Sequence, residues 1–114
     1  MAFHISITAD AESQWRALSA RQQRLLDAAI QSRLVHQPTI PTKAVKKLRP
    51  NPFAEFELRV GDLRVLYNVE GTEVVLLVVG RKTGNKLIVE GKEFHGHQDD
   101  PSKFAGDEPQ GDIG

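Results

Sequence analysis

The stretch that most constrains the fold is "FELRVGDLRVLYNVEGTEVVLLVVGRK", residues 56–82. It contains segments rich in β-branched and aromatic residues, as strands are. Only the turn signals "GD" and "EGT" separate these segments, and connections this short join neighbouring antiparallel strands. The sequence therefore predicts three consecutive strands, at residues 56–60, 63–69 and 72–82.

Other segments extend this sheet. Residues 74–79 are apolar at every position, which is typical of a strand covered on both faces and predicts the centre of the sheet. The N-terminal "FHISITA" alternates apolar and polar residues with a period of two, which indicates a half-buried strand. A last strand is predicted at residues 86–90, with Gly91 turning the chain back.

Helical signals lie between the first strand and the other strands. Asp10 precedes a short helical stretch through Leu18. Ser19 lies three residues before Gln22, which is the spacing of a capping box at the start of a second helix. Prolines close that helix. The pattern predicts a helical hairpin whose second helix has Leu25, Leu26, Ala29, Ile30 and Leu34 at helical spacing on one face.

The composition suits one small domain, because the chain has 114 residues of which 39% are hydrophobic. It has no cysteine, which excludes a disulfide framework, a thiol nucleophile and a cysteine-based zinc site. The sequence shows no signal-peptide pattern and no run approaching the ~20 apolar residues that span a bilayer. These features predict a cytoplasmic protein.

The charges are unevenly placed although the formal net charge is zero. Residues 1–98 carry 14 Lys and Arg against 10 Asp and Glu, whereas residues 99–114 carry 1 against 5. We therefore expect a domain at 1–98 followed by an acidic tail at 99–114, whose composition favours disorder. Such a tail is either a plain solvated terminus or a mask for a basic groove in its own chain.

The segment at residues 43–49 concentrates four cations between prolines, and we interpret it as an ordered surface loop. Its basic side chains could bind RNA by neutralising phosphates, or could simply keep the protein soluble. The four cations are Lys43, Lys46, Lys47 and Arg49.

Two pieces of the sequence, "LRPNPFAEFELRVGDLRVLYNVEG" and "VGRKTGNKLIVEGKEF", carry a family resemblance. They resemble the RelE/ParE superfamily of bacterial toxins from type II toxin-antitoxin systems, in its RelE-like addiction-module branch. The resemblance implies an α+β fold, a small twisted antiparallel sheet with an N-terminal strand and a two-helix hairpin packed on one face. It also implies a cognate antitoxin, for which Leu34, Val35 and an edge strand at 86–90 would be docking surfaces.

Active ribonucleases of this superfamily cleave messenger RNA on the ribosome without a metal or other cofactor, through attack of the ribose 2′-hydroxyl on the neighbouring phosphate. This reaction needs a base, an acid, and cations that hold the negative charge at phosphorus. Arg64 falls on the family's phosphate-binding arginine, and Lys82, with Arg81 beside it, falls on the second cationic position. Arginine suits the role because its planar fork can grip two phosphate oxygens. Arg59 is a further candidate for substrate binding.

The family's other catalytic positions hold different residues here. Glu55 and Glu57 stand where the family has a lysine pair, and Ile88 stands near the place of its C-terminal tyrosine or histidine. Either carboxylate could act as the base beside an arginine. His95 or His97 could replace the acid.

Three functions follow from the resemblance. The chain is a RelE-like toxin that inhibits translation by ribosome-dependent messenger RNA cleavage or by ribosome binding, a ParE-like DNA gyrase inhibitor that needs no catalytic residues, or a non-toxic module that binds its antitoxin. The strand arginines also have a purely structural alternative. In that alternative Arg59 and Arg64 pair with Glu57, Glu70 or Glu73 across neighbouring strands.

Overall fold

The computed structural model describes residues 2–93. The acidic tail predicted at 99–114 lies outside the described residues, and so do His95 and His97. Within this part of the chain the elements follow the predicted order of strand, two helices and several strands. No helix among residues 2–93 is long and apolar enough to cross a membrane.

Two helices form the predicted hairpin, and both have side-chain caps. In α1 (Ala9–Arg16) the Thr8 hydroxyl accepts a hydrogen bond from the Ala11 N–H at 3.1 Å. In α2 (Ala20–Ala29) the predicted capping box of Ser19 and Gln22 is present, with both reciprocal hydrogen bonds formed. The chain then continues as a π-helical turn, Ile30–Leu34.

Seven strands form one sheet in the described part of the chain, and six of them are consecutive antiparallel neighbours. In chain order the strands are β1 (His4–Ile7), β2 (Val45–Lys47), β3 (Phe56–Val60), β4 (Leu63–Glu70), β5 (Glu73–Thr83), β6 (Lys86–Val89) and β7 (Lys92–Glu93). The spatial order is β2-β3-β4-β5-β6-β7, and β1 joins β5.

β1 departs from a purely antiparallel sheet. It runs parallel to the first half of β5, with Ile5 opposite Val74. A parallel pair needs a long connection, which the helices and strands between β1 and β5 supply. β5 is therefore the centre of the sheet, as its uninterrupted apolar run predicts.

The prediction of a loop at residues 43–49 was wrong in its middle, where β2 forms. Val45 is buried and pairs with Leu58 of β3, so this short segment is an edge strand of the sheet. Its cations obscured the signal, because only one apolar residue of the strand faces the core. The prolines bracket the strand and do not interrupt it, as expected for residues that cannot donate to a ladder.

The helices pack on one face of the sheet. No helix within residues 2–93 covers the other face, here called the open face. The core on the helix side contains Leu26, Ile30, Leu34, Leu58, Val65, Tyr67, Val74 and Leu76, among others. A smaller apolar cluster occupies part of the open face, formed by Leu48, Ala54, Leu66, Val78, Leu87 and Val89.

Tyr67 anchors the helix-side core. Its ring stacks on Phe56 with centroids 5.5 Å apart, and its hydroxyl donates to the Pro38 carbonyl at 2.6 Å. Burial raises the pKa of the Tyr67 phenol well above its ordinary range, because the charged form would lose its hydration. The phenol therefore stays neutral in the folded protein.

Leu34 and the strand at 86–90 are not available for docking as predicted. Leu34 is fully buried, whereas Val35 is partly exposed and its carbonyl accepts a hydrogen bond from the Phe3 N–H at 2.7 Å. The strand predicted at 86–90 is not a free edge, because β7 pairs with β6 through Val89 and Lys92. The return of the chain at Gly91 adds this short strand.

Candidate functional site

A buried carboxylate on the open face organises the basic residues around it. Glu57 of β3 has only 1% of its side chain exposed. The Arg59 Nε donates to its Oε1 at 2.7 Å, and the Arg64 Nε lies 4.0 Å from its Oε2. A charge this well buried needs ionic partners, and two arginines supply them. Of the carboxylates considered as partners from the sequence, Glu57 is the one that pairs with these arginines.

Arg59 and Arg64 are direct cross-strand partners between β3 and β4. Two like charges directly opposite each other repel, which would weaken the hairpin. Glu57 lies on the same face, two residues before Arg59, and its two oxygens face one arginine each. The carboxylate thus allows two guanidinium groups to stand side by side.

Arg64 is fixed further by the turn that joins its strand to β3. Its Nη1 donates to the Gly61 carbonyl at 2.7 Å and to the Leu63 carbonyl at 2.9 Å. The side chain is 11% exposed, against 16% for Arg59. Gly61 has a φ of 61°, a conformation that glycine adopts without strain, so the turn can present its carbonyl to the guanidinium. Arg64 is consequently held in place before any ligand arrives.

Lys82 is placed on the same face by the register of β5. Arg64 pairs with Gly80, and side chains alternate along a strand, so the residue two positions further lies on the open face as well. The Lys82 N–H donates to the Asp62 carbonyl at 2.7 Å, which ties β5 to the same turn. Lys82 is half-buried.

Gly80 lets β6 approach closely at this point. A Cβ on residue 80 would lie 2.4 Å from the Ile88 carbonyl oxygen and 3.0 Å from a Val89 methyl carbon. Any side chain here would therefore push β6 away from β5. The glycine keeps β5 and β6 in contact directly beside Arg64.

Lys46 of β2 completes a row of cations across four strands. It pairs with Glu57 in the register between β2 and β3, and it is half-buried. We call the set of Lys46, Arg59, Arg64 and Lys82 the basic strip. With Glu57 included, four cations stand against one carboxylate.

The other basic candidates lie elsewhere. Arg81 is in register with Leu63, on the helix face, where it lines a cavity of about 260 Å³ together with Gln14. Its Nη1 donates to the Thr83 hydroxyl at 3.3 Å. The structure thus separates Arg81 from Arg64 by the thickness of the sheet, because neighbouring residues of a strand point to opposite faces.

Of the remaining cations of residues 43–49, Lys47 ends β2, and Lys43 and Arg49 lie outside the strand. The Lys47 Nζ lies 5.0 Å from the centre of the Phe56 ring, a cation–π contact at the sheet edge. Lys43 and Arg49 are exposed in the chain before and after the strand. Neither belongs to a strand, and neither is part of the basic strip.

The residues at the family's other catalytic positions do not form an acid/base pair. Glu55 is exposed and binds the backbone of β4, where its Oε1 accepts from the Val69 N–H at 3.4 Å. Ile88 lines the helix-side cavity together with Arg81. Within residues 2–93 the basic strip includes no histidine or tyrosine, and its one carboxylate is held in ion pairs. What the strip can do chemically is hold anionic groups.

No metal centre is visible in the described part of the chain, where no three His, Asp or Glu side chains come together.

The sequence matches no family model and no curated protein. Solved structures do match. A chain of the RelBE2 toxin-antitoxin complex from Mycobacterium tuberculosis superposes with a TM-score of 0.62 and 24% identity, over 72% of this chain and 100% of that one.

The chain has a RelE-like fold. A second match supports this, because a chain of the archaeal RelE-RelB complex from Pyrococcus horikoshii superposes with a TM-score of 0.59 and 20% identity. That match covers 74% of this chain and 99% of the other. The α+β fold expected from the sequence resemblance is confirmed.

Proposed function

We propose that this chain is the toxin of a type II toxin-antitoxin system and that it inhibits translation by binding ribosome-associated RNA through the basic strip. The fold supports the first part, since both structural neighbours are chains of toxin-antitoxin complexes. The proposal includes a cognate antitoxin as the protein partner, the bacterial cytoplasm as the location, and no cofactor.

The observation that carries the second part is the arrangement around Glu57. Four cations from four strands share one face, and the carboxylate among them is buried and paired. Phosphate groups of RNA are the anions that such a row suits, because a row of cations matches the repeating charge of a nucleic-acid backbone. Arg64 is pre-positioned by the turn carbonyls, so little side-chain entropy is lost when it binds.

The same geometry bears on the mode of inhibition. Both oxygens of Glu57 face an arginine, which suits the role of an anchor. We therefore favour occupation of the ribosomal site over cleavage for the part of the protein within residues 2–93. Cleavage would require an acid or base from elsewhere, for which His95 and His97 are the candidates.

The test is induction of the chain in a bacterial host with pulse-labelled protein and DNA synthesis. We expect early loss of protein synthesis, relieved by Lys46→Gln/Lys82→Gln and retained by Arg24→Gln/Arg33→Gln, which removes two exposed cations from the helical side. Arg24→Gln/Arg33→Gln is the matched control, because it removes the same number of positive charges from the helical side of the protein. If both double variants inhibit as well as the wild type, the basic strip is not the working surface.

Inhibition of DNA gyrase is the second candidate. It is favoured by the lack of an acid/base pair on the basic strip within residues 2–93, because a protein that inhibits by binding needs none. The same experiment separates the two, since early loss of DNA synthesis with protein synthesis intact would identify gyrase. Unimpaired growth with well-expressed protein would leave antitoxin binding as the activity.

A further inference from the structure

We propose that the helix-side cavity is a binding site for a guanine base. The cavity has a volume of about 260 Å³ and lies on the opposite face of the sheet from the basic strip, so the inference goes beyond the proposed function. It lies between the helical hairpin and the strands β5 and β6. The side chains that carry the argument are Gln14, Leu18, Gln22, Arg81, Ile88 and Glu90.

Glu90 has an unfavourable backbone conformation at this cavity. In the turn between β6 and β7, Glu90 and Gly91 have φ angles of 53° and 79°, in the left-handed region that two-residue hairpin turns use. Asparagine and glycine adopt this region readily, whereas glutamate is strained there. Strained residues cluster at functional sites, so the strain at Glu90 supports a role for its side chain.

The Glu90 carboxylate is held in place by the first helix. The Ser13 hydroxyl of α1 donates to its Oε2 at 2.7 Å, a contact between residues 77 positions apart in the sequence. An ionised carboxylate has about four acceptor sites, so this bond leaves acceptors for a ligand. Glu90 therefore provides the cavity with a fixed negative acceptor.

The other polar side chains of the cavity provide donors. The Gln14 Oε1 accepts from the Val79 N–H at 2.7 Å, which ties α1 to β5. The Gln22 Oε1 accepts from the Ser19 N–H at 2.9 Å in the capping box. What these two amides can offer a ligand is therefore their N–H groups, and the exposed Arg81 adds a guanidinium with five N–H donors.

This combination matches the edges of guanine. Guanine has N–H donors on the adjacent atoms N1 and N2, which one carboxylate can accept together, and its O6 and N7 accept from a guanidinium or an amide. The other three bases of RNA lack such a pair of adjacent donors. Half-buried Leu18 and Ile88 supply apolar surface for the faces of a planar ring. The cavity is slightly smaller than the roughly 300–1,000 Å³ of most ligand pockets, which suits one base and not a larger cofactor.

Two sources supply such a base, a free guanine nucleotide and an RNA strand. Arg81 directly precedes Lys82 of the basic strip, and the two side chains point to opposite faces of the sheet. An RNA strand on the strip would therefore have to pass the end of β5 to place a base in the cavity. The experiment below includes one arm for each source.

Titration of the ¹⁵N-labelled full-length chain with nucleoside monophosphates tests the site by nuclear magnetic resonance. We expect guanosine monophosphate to shift the amide signals of Gly80 and Gly91, which line the cavity, with a dissociation constant of about 1 mM or tighter. Adenosine monophosphate carries the same phosphate and should bind more weakly by about tenfold or more. Inosine monophosphate lacks only the N2 amino group and should bind about three- to tenfold more weakly.

The substitution Glu90→Asn separates ligand binding from a structural role. Asparagine suits the left-handed turn, so the thermal midpoint should equal or exceed that of the wild type, while the preference for guanosine over inosine monophosphate should disappear. Glu70→Gln is the control, because it removes an exposed carboxylate outside the cavity and should keep the preference. Arg81→Gln should weaken binding of guanosine monophosphate by about threefold or more.

Several results would overturn the inference. Equal affinities for the three monophosphates would mean that only the phosphate is bound, and signal shifts that spare Gly80 and Gly91 would place the ligand elsewhere. A preference for guanosine over inosine monophosphate that persists in Glu90→Asn would contradict the role of the carboxylate.

A short oligouridine with one central guanosine identifies the source of the base. If it shifts the Gly80 and Gly91 signals and binds about tenfold more tightly than the same RNA with a central adenosine, the base comes from RNA. If guanosine monophosphate binds and this RNA leaves both signals in place, the ligand is the free nucleotide. The proposed function is tested separately by the effect of Lys46→Gln/Lys82→Gln on protein synthesis, so either proposal can fail while the other holds.

Discussion

The substitution Glu57→Gln tests whether this carboxylate is an anchor for two arginines. Removing one partner of a buried ion pair typically costs about 3–5 kcal/mol, because the other charge is left without compensation. Here both arginines retain some exposure, 16% and 11% of their side chains, and glutamine keeps one oxygen that can accept a hydrogen bond. We therefore expect a smaller loss, about 1–3 kcal/mol of unfolding free energy.

Urea denaturation of the purified protein measures this loss directly, and a thermal scan should show a midpoint lower by about 4–15 °C. Glu70→Gln is the matched control. It neutralises an exposed carboxylate that lies opposite Glu73, a like charge, and should change stability by at most about 0.5 kcal/mol. A Glu57→Gln protein as stable as the wild type would refute the anchoring role.

The same variant distinguishes the anchor from a catalytic base. If Glu57 is only an anchor, its negative charge still repels phosphate. Neutralising it adds one net positive charge to the strip, so the slope of log affinity against log salt concentration for RNA binding should become steeper by about 0.7. As a base, its loss would abolish RNA cleavage while leaving stability close to that of the wild type. Loss of activity without loss of stability would contradict the account.

Three further predictions concern the frame of the site. Tyr67→Phe leaves the Pro38 carbonyl without its donor and should cost about 1–2 kcal/mol by urea denaturation. Burial raises the pKa of Tyr67, so the unfolded chain loses its phenol proton at a lower pH than the folded protein does. The contribution of Tyr67 to stability should therefore be complete below the ordinary pKa of 10.0 and fall as pH rises above it, so the wild type should lose more stability there than Tyr67→Phe. Identical pH profiles of the two proteins would count against this. Gly80→Ala places a methyl group 2.4 Å from the Ile88 carbonyl oxygen and should lower stability by about 1–3 kcal/mol, seen as faster amide exchange in β6; exchange like that of the wild type would mean that the strands adjust freely. Ser19→Ala removes half of the capping box and should cost about 1 kcal/mol in thermal unfolding, whereas no shift would show that the cap is redundant.

Much of the fold was predictable because local signals and tertiary structure agree in its central elements. The turn residues after β3 and β4 fixed the hairpins, and the apolar run of β5 identified the middle of the sheet. β2 was not predicted, because its single core residue, Val45, lies among cations. Only the pairing with Leu58 of β3 makes this segment a strand. The parallel direction of β1 is also a tertiary property, which no pattern within the strand specifies.

The candidate site was predictable residue by residue only in part. The resemblance predicts Arg64 and Lys82 as site residues, and the structure places both on the open face. The resemblance alone could not decide whether Lys82 or Arg81 lies on the same face as Arg64. That choice follows once the strand is known, because consecutive residues of a strand point to opposite faces. The role of Glu57 depends on burial and on two cross-strand distances, which a single sequence does not contain.

The most direct test of the central claim is a reconstituted bacterial translation reaction titrated with purified protein. The quantity measured is the concentration that halves protein synthesis, for the wild type, for Lys46→Gln/Lys82→Gln and for the control Arg24→Gln/Arg33→Gln. Two lost phosphate contacts should raise that concentration by about tenfold or more, while the control stays within about twofold. Equal inhibition by all three folded proteins would contradict the claim that the basic strip is the surface that acts on translation.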